Sequence, residues 1–198
     1  MSAAAEDTSD IDAVVIGASA GGVEALERVL ACLPRDFSAV LLAVLHLPPD
    51  RPSAVAQLLG RHCALPVDEA LDKQPLKPGT VLIAPPDYHL LVEPERAVAL
   101  SVDEPVLYSR PSIDLLFESA ALAYGPRLLA LVLTGANQDG AEGAAAVKAR
   151  GGRVWVQDPR EALVPAMPEA ALQRARADAV LGLQEICRRL RGFAGGES

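Results

Sequence analysis

A chain of 198 residues, 51% of them hydrophobic, is long enough to bury one full core and too short to divide comfortably into two. Its formal net charge of -8 and pI near 4.9 give a surface that repels phosphate backbones and anionic lipid, which argues against nucleic acid and membrane and toward another protein or a small ester as partner. Cys32, Cys63 and Cys187 lack C-x-x-C spacing and are odd in number, so no disulfide framework is expected and a reducing cytoplasm fits; no apolar run reaches the ~18 residues that a membrane span needs.

From Asp12 onward, short β-branched or leucine-rich runs alternate with stretches of helical period. Asp12 to Ala18 reads as a strand, Gly22 to Cys32 as a helix, Ser38 to Leu45 as a strand and Ser53 to Cys63 as a helix. Val81 to Ala84, Leu90 to Val92 and Ala97 to Val102 read as short strands joined by turns, because proline, aspartate and glycine recur too closely for helices; this middle region is expected to form an antiparallel insertion. The alternation resumes with a helix from Pro111 to Tyr124, with Pro111 in the first helical turn, a buried strand from Leu128 to Thr134 and a helix from Gly140 to Arg150. A strand at Val154 to Gln157, a helix around Pro168 to Ala175, a strand at Ala179 to Leu181 and a closing helix to Arg191 complete the pattern. The expected fold is α/β, a doubly wound, mostly parallel sheet with helices on both faces and a small antiparallel insertion. The expected organisation is a disordered tail over 1–11, one domain over 12–191 and a frayed tail over 192–198. In such sheets ligands bind beyond the carboxyl ends of the strands.

Three segments at those ends carry candidate chemistry. The first strand runs into Gly17-Ala18-Ser19-Ala20-Gly21-Gly22, and small residues around Ser19 allow the sharp turn that exposes a nucleophile between strand and helix, with helix-entry amides available to an oxyanion. The same turn also suits a dinucleotide site or close helix–sheet packing. At the end of the second strand His46 supplies the base that a serine hydroxyl needs, where a dinucleotide fold would place an acid for the ribose; a half-buried structural histidine is the plainer alternative. Asp139, in Leu133-Thr134-Gly135-Ala136-Asn137-Gln138-Asp139-Gly140, could orient His46 or cap the following helix. The chain order Ser19, His46, Asp139 differs from the Ser, Asp, His order of α/β-hydrolases.

These segments resemble the CheB methylesterases, the receptor methylesterases of bacterial chemotaxis, from about Asp12 to Leu190. The family's Gly-Ala-Ser-Thr-Gly-Gly turn is matched by Gly17 to Gly22, its His-Met-Pro by His46-Leu47-Pro48, and its Arg-Pro-Ser-Val-Asp by Arg110-Pro111-Ser112-Ile113-Asp114. Its Leu-Thr-Gly-Met-Gly-x-Asp-Gly is matched by Leu133 to Gly140, and similarity continues in Ile83 to His89 and Val164 to Pro168. The resemblance implies a carboxylic-ester hydrolase that demethylates glutamate γ-methyl esters on methyl-accepting chemoreceptors, releasing methanol, with glutamine deamidation as a related activity. It implies Ser19 as nucleophile, His46 as base, Asp139 as orienting acid, backbone amides near Ala20 and Ala136 as the oxyanion hole, and Arg110 as a cleft residue or an ion-pair partner. No metal and no cofactor is expected.

Three departures stand out. Ala20 replaces the threonine after the nucleophile. Ala136-Asn137 replaces Met-Gly, and if that glycine needs positive φ, asparagine is among the few residues that tolerate it. Only about eleven residues precede the first strand, so control by a phosphoacceptor domain within this chain is not expected. These departures leave room for an inactive regulatory or binding module in a signalling complex, and a dinucleotide-dependent enzyme is the third reading. His62 is read as a surface residue, Trp155 as core, His89 as lying near the cleft without metal spacing, and the cysteines as small core residues.

Overall fold

In a computed structural model, residues 11–46 and 54–193 are described. The elements are β1 (Ala13–Ala18), α1 (Gly22–Ala31), β2 (Val40–Leu45), α2 (Val55–Gly60), β3 (Val67–Glu69), β4 (Val81–Ile83), β5 (His89–Val92), β6 (Val98–Ser101), α3 (Ile113–Tyr124), β7 (Leu128–Val132), α4 (Ala141–Ala149), β8 (Arg153–Gln157), α5 (Ala166–Arg174), β9 (Ala179–Leu181) and α6 (Leu183–Leu190). Seven strands form a parallel sheet in the order β3-β4-β2-β1-β7-β8-β9, and β5 and β6 form a separate antiparallel pair. The doubly wound expectation is met.

The central strands are buried along their whole length, as parallel strands covered on both faces must be. Alternate residues of β1 feed two cores: Val14 and Ile16 pack with Leu26 and Leu30 of α1 and Ile186 of α6, while Ala13 and Val15 pack with Leu116 and Phe117 of α3 and Val147 of α4. The β5–β6 pair lies on the α3 side through Leu90, Val92 and Val98. Gly17 lets α3 approach the sheet: a Cβ there would stand 2.3 Å from Ile113 Cγ2.

The middle region corrects the expectation. Val81–Ile83 is not part of the antiparallel insertion; it is an interior strand of the main sheet, parallel to β2 and to β3, and β3 is an edge strand that the sequence pattern does not reveal. The three residues of β4 are all buried, and an apolar run without alternation is what a covered parallel strand requires, but nothing local sets its direction. β3 carries Val-Asp-Glu on a partly exposed edge, too short and polar for a period to emerge.

Helix α3 begins after Ser112, whose Oγ accepts from Leu115 N, so Pro111 precedes the cap rather than standing in the first turn. Ile11 is buried, and Phe193, in a 3-10 turn that follows α6, packs edge-on against Trp155 with ring centroids 6.1 Å apart. The start of the second helix at Ser53, residues 1–10 and Ala194 to Ser198 lie outside the described residues.

Candidate active site

The register of the three central strands brings the first two candidate residues together. Ala18 on β1 is paired with Leu45 on β2, so Ser19 and His46 are the next residues on adjacent strands. The ladder continues past the strand ends: His46 N donates to Ala18 O at 3.0 Å, and Ser19 N donates to Thr134 O at 3.0 Å. Gly21, in the left-handed region at φ 76°, then turns the chain into α1, a conformation that a Cβ disfavours.

Asp139 arrives from the loop after β7. His46 Nε2 donates to Asp139 Oδ2 at 2.9 Å, joining residues 93 positions apart. Asp139 is fully buried and accepts three more hydrogen bonds, from Ser112 Oγ at 3.0 Å, Ile113 N at 2.7 Å and Asp114 N at 2.9 Å. It does not cap the helix that follows it; it takes the amides at the start of α3. Asp114 returns the exchange, its Oδ1 accepting from Gly140 N at 2.9 Å and Gly143 N at 2.7 Å at the start of α4. Each aspartate thus satisfies the orphan amides of the other's helix and sits at its positive end.

The two carboxyls are driven in opposite directions. Burial pushes Asp139 upward, but the hydrogen bonds from His46 and from the amides of Ile113 and Asp114 outweigh it and hold it below its usual value. Burial, helped by the charge of Asp139 and against the bonds from Gly143 and Gly140, lifts Asp114 to about 6.

The remaining ring nitrogen of His46 also has a neighbour. Asn137 Oδ1 accepts from Asp139 N at 3.2 Å, which turns the amide so that its Nδ2 lies 3.3 Å from His46 Nδ1. Ser19 Oγ, in contrast, makes no hydrogen bond among the described residues. The backbone of Asn137 is not left-handed, so the glycine-like conformation considered for this position is not needed.

The amides of Ala20 and Ala136 have no acceptor among the described residues. They flank a stitch that sequence reasoning missed: Thr134 Oγ1 donates to Ala20 O at 2.9 Å and accepts from Val164 N at 2.9 Å, while Thr134 N donates to Gln157 Oε1 at 2.9 Å. Gly135 N also donates to Val164 O at 3.1 Å, so the serine turn, the loop after β7 and the entrance to α5 are tied together. The Leu-Thr-Gly run is the available signal, but it does not say where a threonine hydroxyl points.

Arg110 lines a cavity of about 230 Å³ with Leu45, His46, Pro86 and Tyr108, but four of its five N–H donors are taken inside the protein. Its Nε and Nη2 donate to Asp87 Oδ1 at 2.9 and 2.7 Å, and its Nη1 donates to the carbonyls of Val102 and Asp103 at 2.9 and 3.1 Å. It is a wall of the cleft built on an ion pair. His89 is fully buried; its Nδ1 accepts from Ser112 N at 3.1 Å and its Nε2 donates to Glu104 O at 3.2 Å, a supporting place beneath the cap of α3. His62 is exposed, 4.0 Å from Glu27 Oε1, and Trp155 is core. Sequence reasoning also missed the turn at Leu107 and Tyr108, both at positive φ, which holds Tyr108 fully exposed at the rim. Among the described residues no group of His, Cys, Asp and Glu could hold a metal ion, and no helix is long and apolar enough to cross a membrane.

Residues 14–190 match the CheB methylesterase family. A Leptospira interrogans relative carrying the name protein-glutamate methylesterase/protein-glutamine glutaminase is 41% identical over 175 residues, covering 88% of this chain and 91% of its own. Proteins of that name from Methanosarcina mazei and Pseudomonas aeruginosa are 40% and 41% identical across 91% and 89% of this chain, which spans only 51% and 48% of their lengths. The crystal structure of the Thermotoga maritima CheB methylesterase catalytic domain superposes with a TM-score of 0.87 at 34% identity, covering 91% of this chain and 97% of that one. With the family match running over residues 14–190 and a relative 41% identical across 88% of this chain, the chain belongs to the CheB methylesterase family.

Proposed function

We propose that residues 12–191 act as one catalytic domain that hydrolyses glutamate γ-methyl esters on methyl-accepting chemoreceptors in the cytoplasm, releasing methanol, with deamidation of receptor glutamines as a second use of the same site. The observation that carries this reading is the 2.9 Å bond from His46 Nε2 to a fully buried, ionised Asp139, beside Ser19 on the neighbouring strand end. That bond commits Nε2 and leaves Nδ1 as the proton acceptor. Ser19 Oγ gives its proton to Nδ1 as it attacks the ester carbonyl, and Asp139 stabilises the imidazolium that forms. The free amides of Ala20 and Ala136 donate to the developing oxyanion, a role that backbone supplies and that the alanine side chains do not impair. His46 returns the proton to the departing methoxide, methanol leaves, and a water deprotonated by His46 cleaves the acyl-serine to give glutamate. Arg110 shapes the cleft through its bond to Asp87 rather than by binding the ester.

The lack of a hydrogen bond between Ser19 Oγ and His46 favours a second reading, a binding module that docks receptors without turnover. Methanol release from methyl-esterified receptor cytoplasmic fragments, compared with Ser19→Ala, separates the two. The hydrolase reading predicts turnover that falls by roughly 10³ to 10⁶ in Ser19→Ala. Receptor binding without methanol release from either protein would establish the binding module instead.

A further inference from the structure

We propose that Asn137 is a positioning residue that latches His46 in the resting protein, holding its proton-accepting nitrogen away from Ser19. The inference rests on the reading of Ser19 and His46 above and goes beyond it.

Three observations carry it. First, the orientation of the Asn137 amide is set from its other end: Oδ1 accepts from Asp139 N at 3.2 Å, so the group 3.3 Å from His46 Nδ1 is the donor Nδ2. Second, His46 Nε2 is already donating to Asp139, an acceptor only, so Nδ1 carries the lone pair and receives the Asn137 proton. Third, Ser19 Oγ makes no hydrogen bond among the described residues, although the strand register makes it the neighbour of His46. The lone pair that must take the serine proton is therefore occupied by a different donor.

The matched family motif has glycine at this position, which has no side chain to place there. The latch is thus a property of this sequence. Asn137 also faces an open groove of about 500 Å³ shared with Leu107, Tyr108 and Gln138, so the amide has room to swing off the ring. Each proton transfer from Ser19 to His46 requires the Asn137 bond to be given up first. A neutral amide bond of this kind is expected to slow the reaction about two- to tenfold.

The test pairs a rate with a spectroscopic signature in Asn137→Ala and Asn137→Gly; the backbone here is not left-handed, so neither substitution is required to relieve or impose strain. With methylated receptor fragments, kcat and kcat/KM for methanol release should rise about two- to tenfold at little-changed KM. In ¹⁵N spectra of the imidazoles, assigned with His46→Gln, the wild-type His46 should carry its proton on Nε2 and show Nδ1 as a hydrogen-bonded acceptor, and Nδ1 should move downfield in Asn137→Ala. A proton on Nδ1 in the wild type, or an Nδ1 resonance unmoved by the substitution, overturns the latch. So does a rate that falls or stays level in both variants, which would leave Asn137 only as the support of Asp139 N. If the wild type releases no methanol, the hydrolase reading falls and takes the latch with it; if it turns over and Ser19→Ala does not, that reading stands and the latch is judged alone.

Discussion

The two ends of the candidate triad are built to opposite standards. Asp139 is fully buried and receives four hydrogen bonds from three different sources, a side-chain hydroxyl, the opening amides of α3 and the imidazole. Ser19 is held only by its backbone, through bonds to Thr134 and Gly22, with its hydroxyl unpartnered among the described residues. The acid end has one arrangement, because moving Asp139 would strand buried donors that cost about 1–3 kcal/mol each. The nucleophile end is left open to respond to what enters the cleft. In the proposed triad, rigidity lies where charge is to be stabilised and freedom where bonds are to be made.

Removing the rigid end should have the largest effect. Asp139→Asn deprives His46 Nε2–H of its carboxylate and forces an NH₂ toward donors, so methanol release is expected to fall by about 10³ to 10⁴, read as kcat at matched fold content by circular dichroism. A loss of less than tenfold would mean that Asp139 serves the fold alone.

Asp114→Asn changes one member of the carboxyl pair and keeps its Oδ1 for Gly140 and Gly143. Asp114 is raised from 3.8 to about 6, so the stability it contributes is full below the unfolded value and is lost as pH rises through about 6. Asp139 has the opposite sign: its contribution is present above the ordinary carboxyl range and is lost as pH falls through its lowered value. Denaturant titrations between pH 4 and 6.5 should therefore show Asp114→Asn flattening the decline in stability with pH, by up to about 2 kcal/mol at the upper end. An unchanged slope would show that burial does not raise Asp114 in the folded protein.

Much of this architecture is legible in the amino-acid sequence, for definite reasons. Ser19, His46 and Asp139 each follow an apolar run, and a parallel sheet sends all such ends to one side, so their convergence follows from the alternation of elements. The direction of β4 is not legible, because a covered strand shows no period to distinguish parallel from antiparallel. The exchange of caps between α3 and α4 is hidden because Asp114 and Asp139 each satisfy amides of the other helix, more than twenty residues away, where the local signal for a cap points to the helix that follows. Asn137 reads in sequence only as a tolerated substitute for glycine in a turn; its side-chain contact with His46, 91 positions away, depends on how β2 and β7 flank β1.

Whether His46 activates Ser19 is read by covalent labelling of the serine. The protein and His46→Ala would be treated with a fluorophosphonate, and the modified peptide identified by mass spectrometry. A single phosphonyl adduct is expected on Ser19, formed at a rate that falls by at least about 10³ in His46→Ala. An adduct on another residue, or equal labelling of Ser19 in both proteins, would contradict activation of Ser19 by His46.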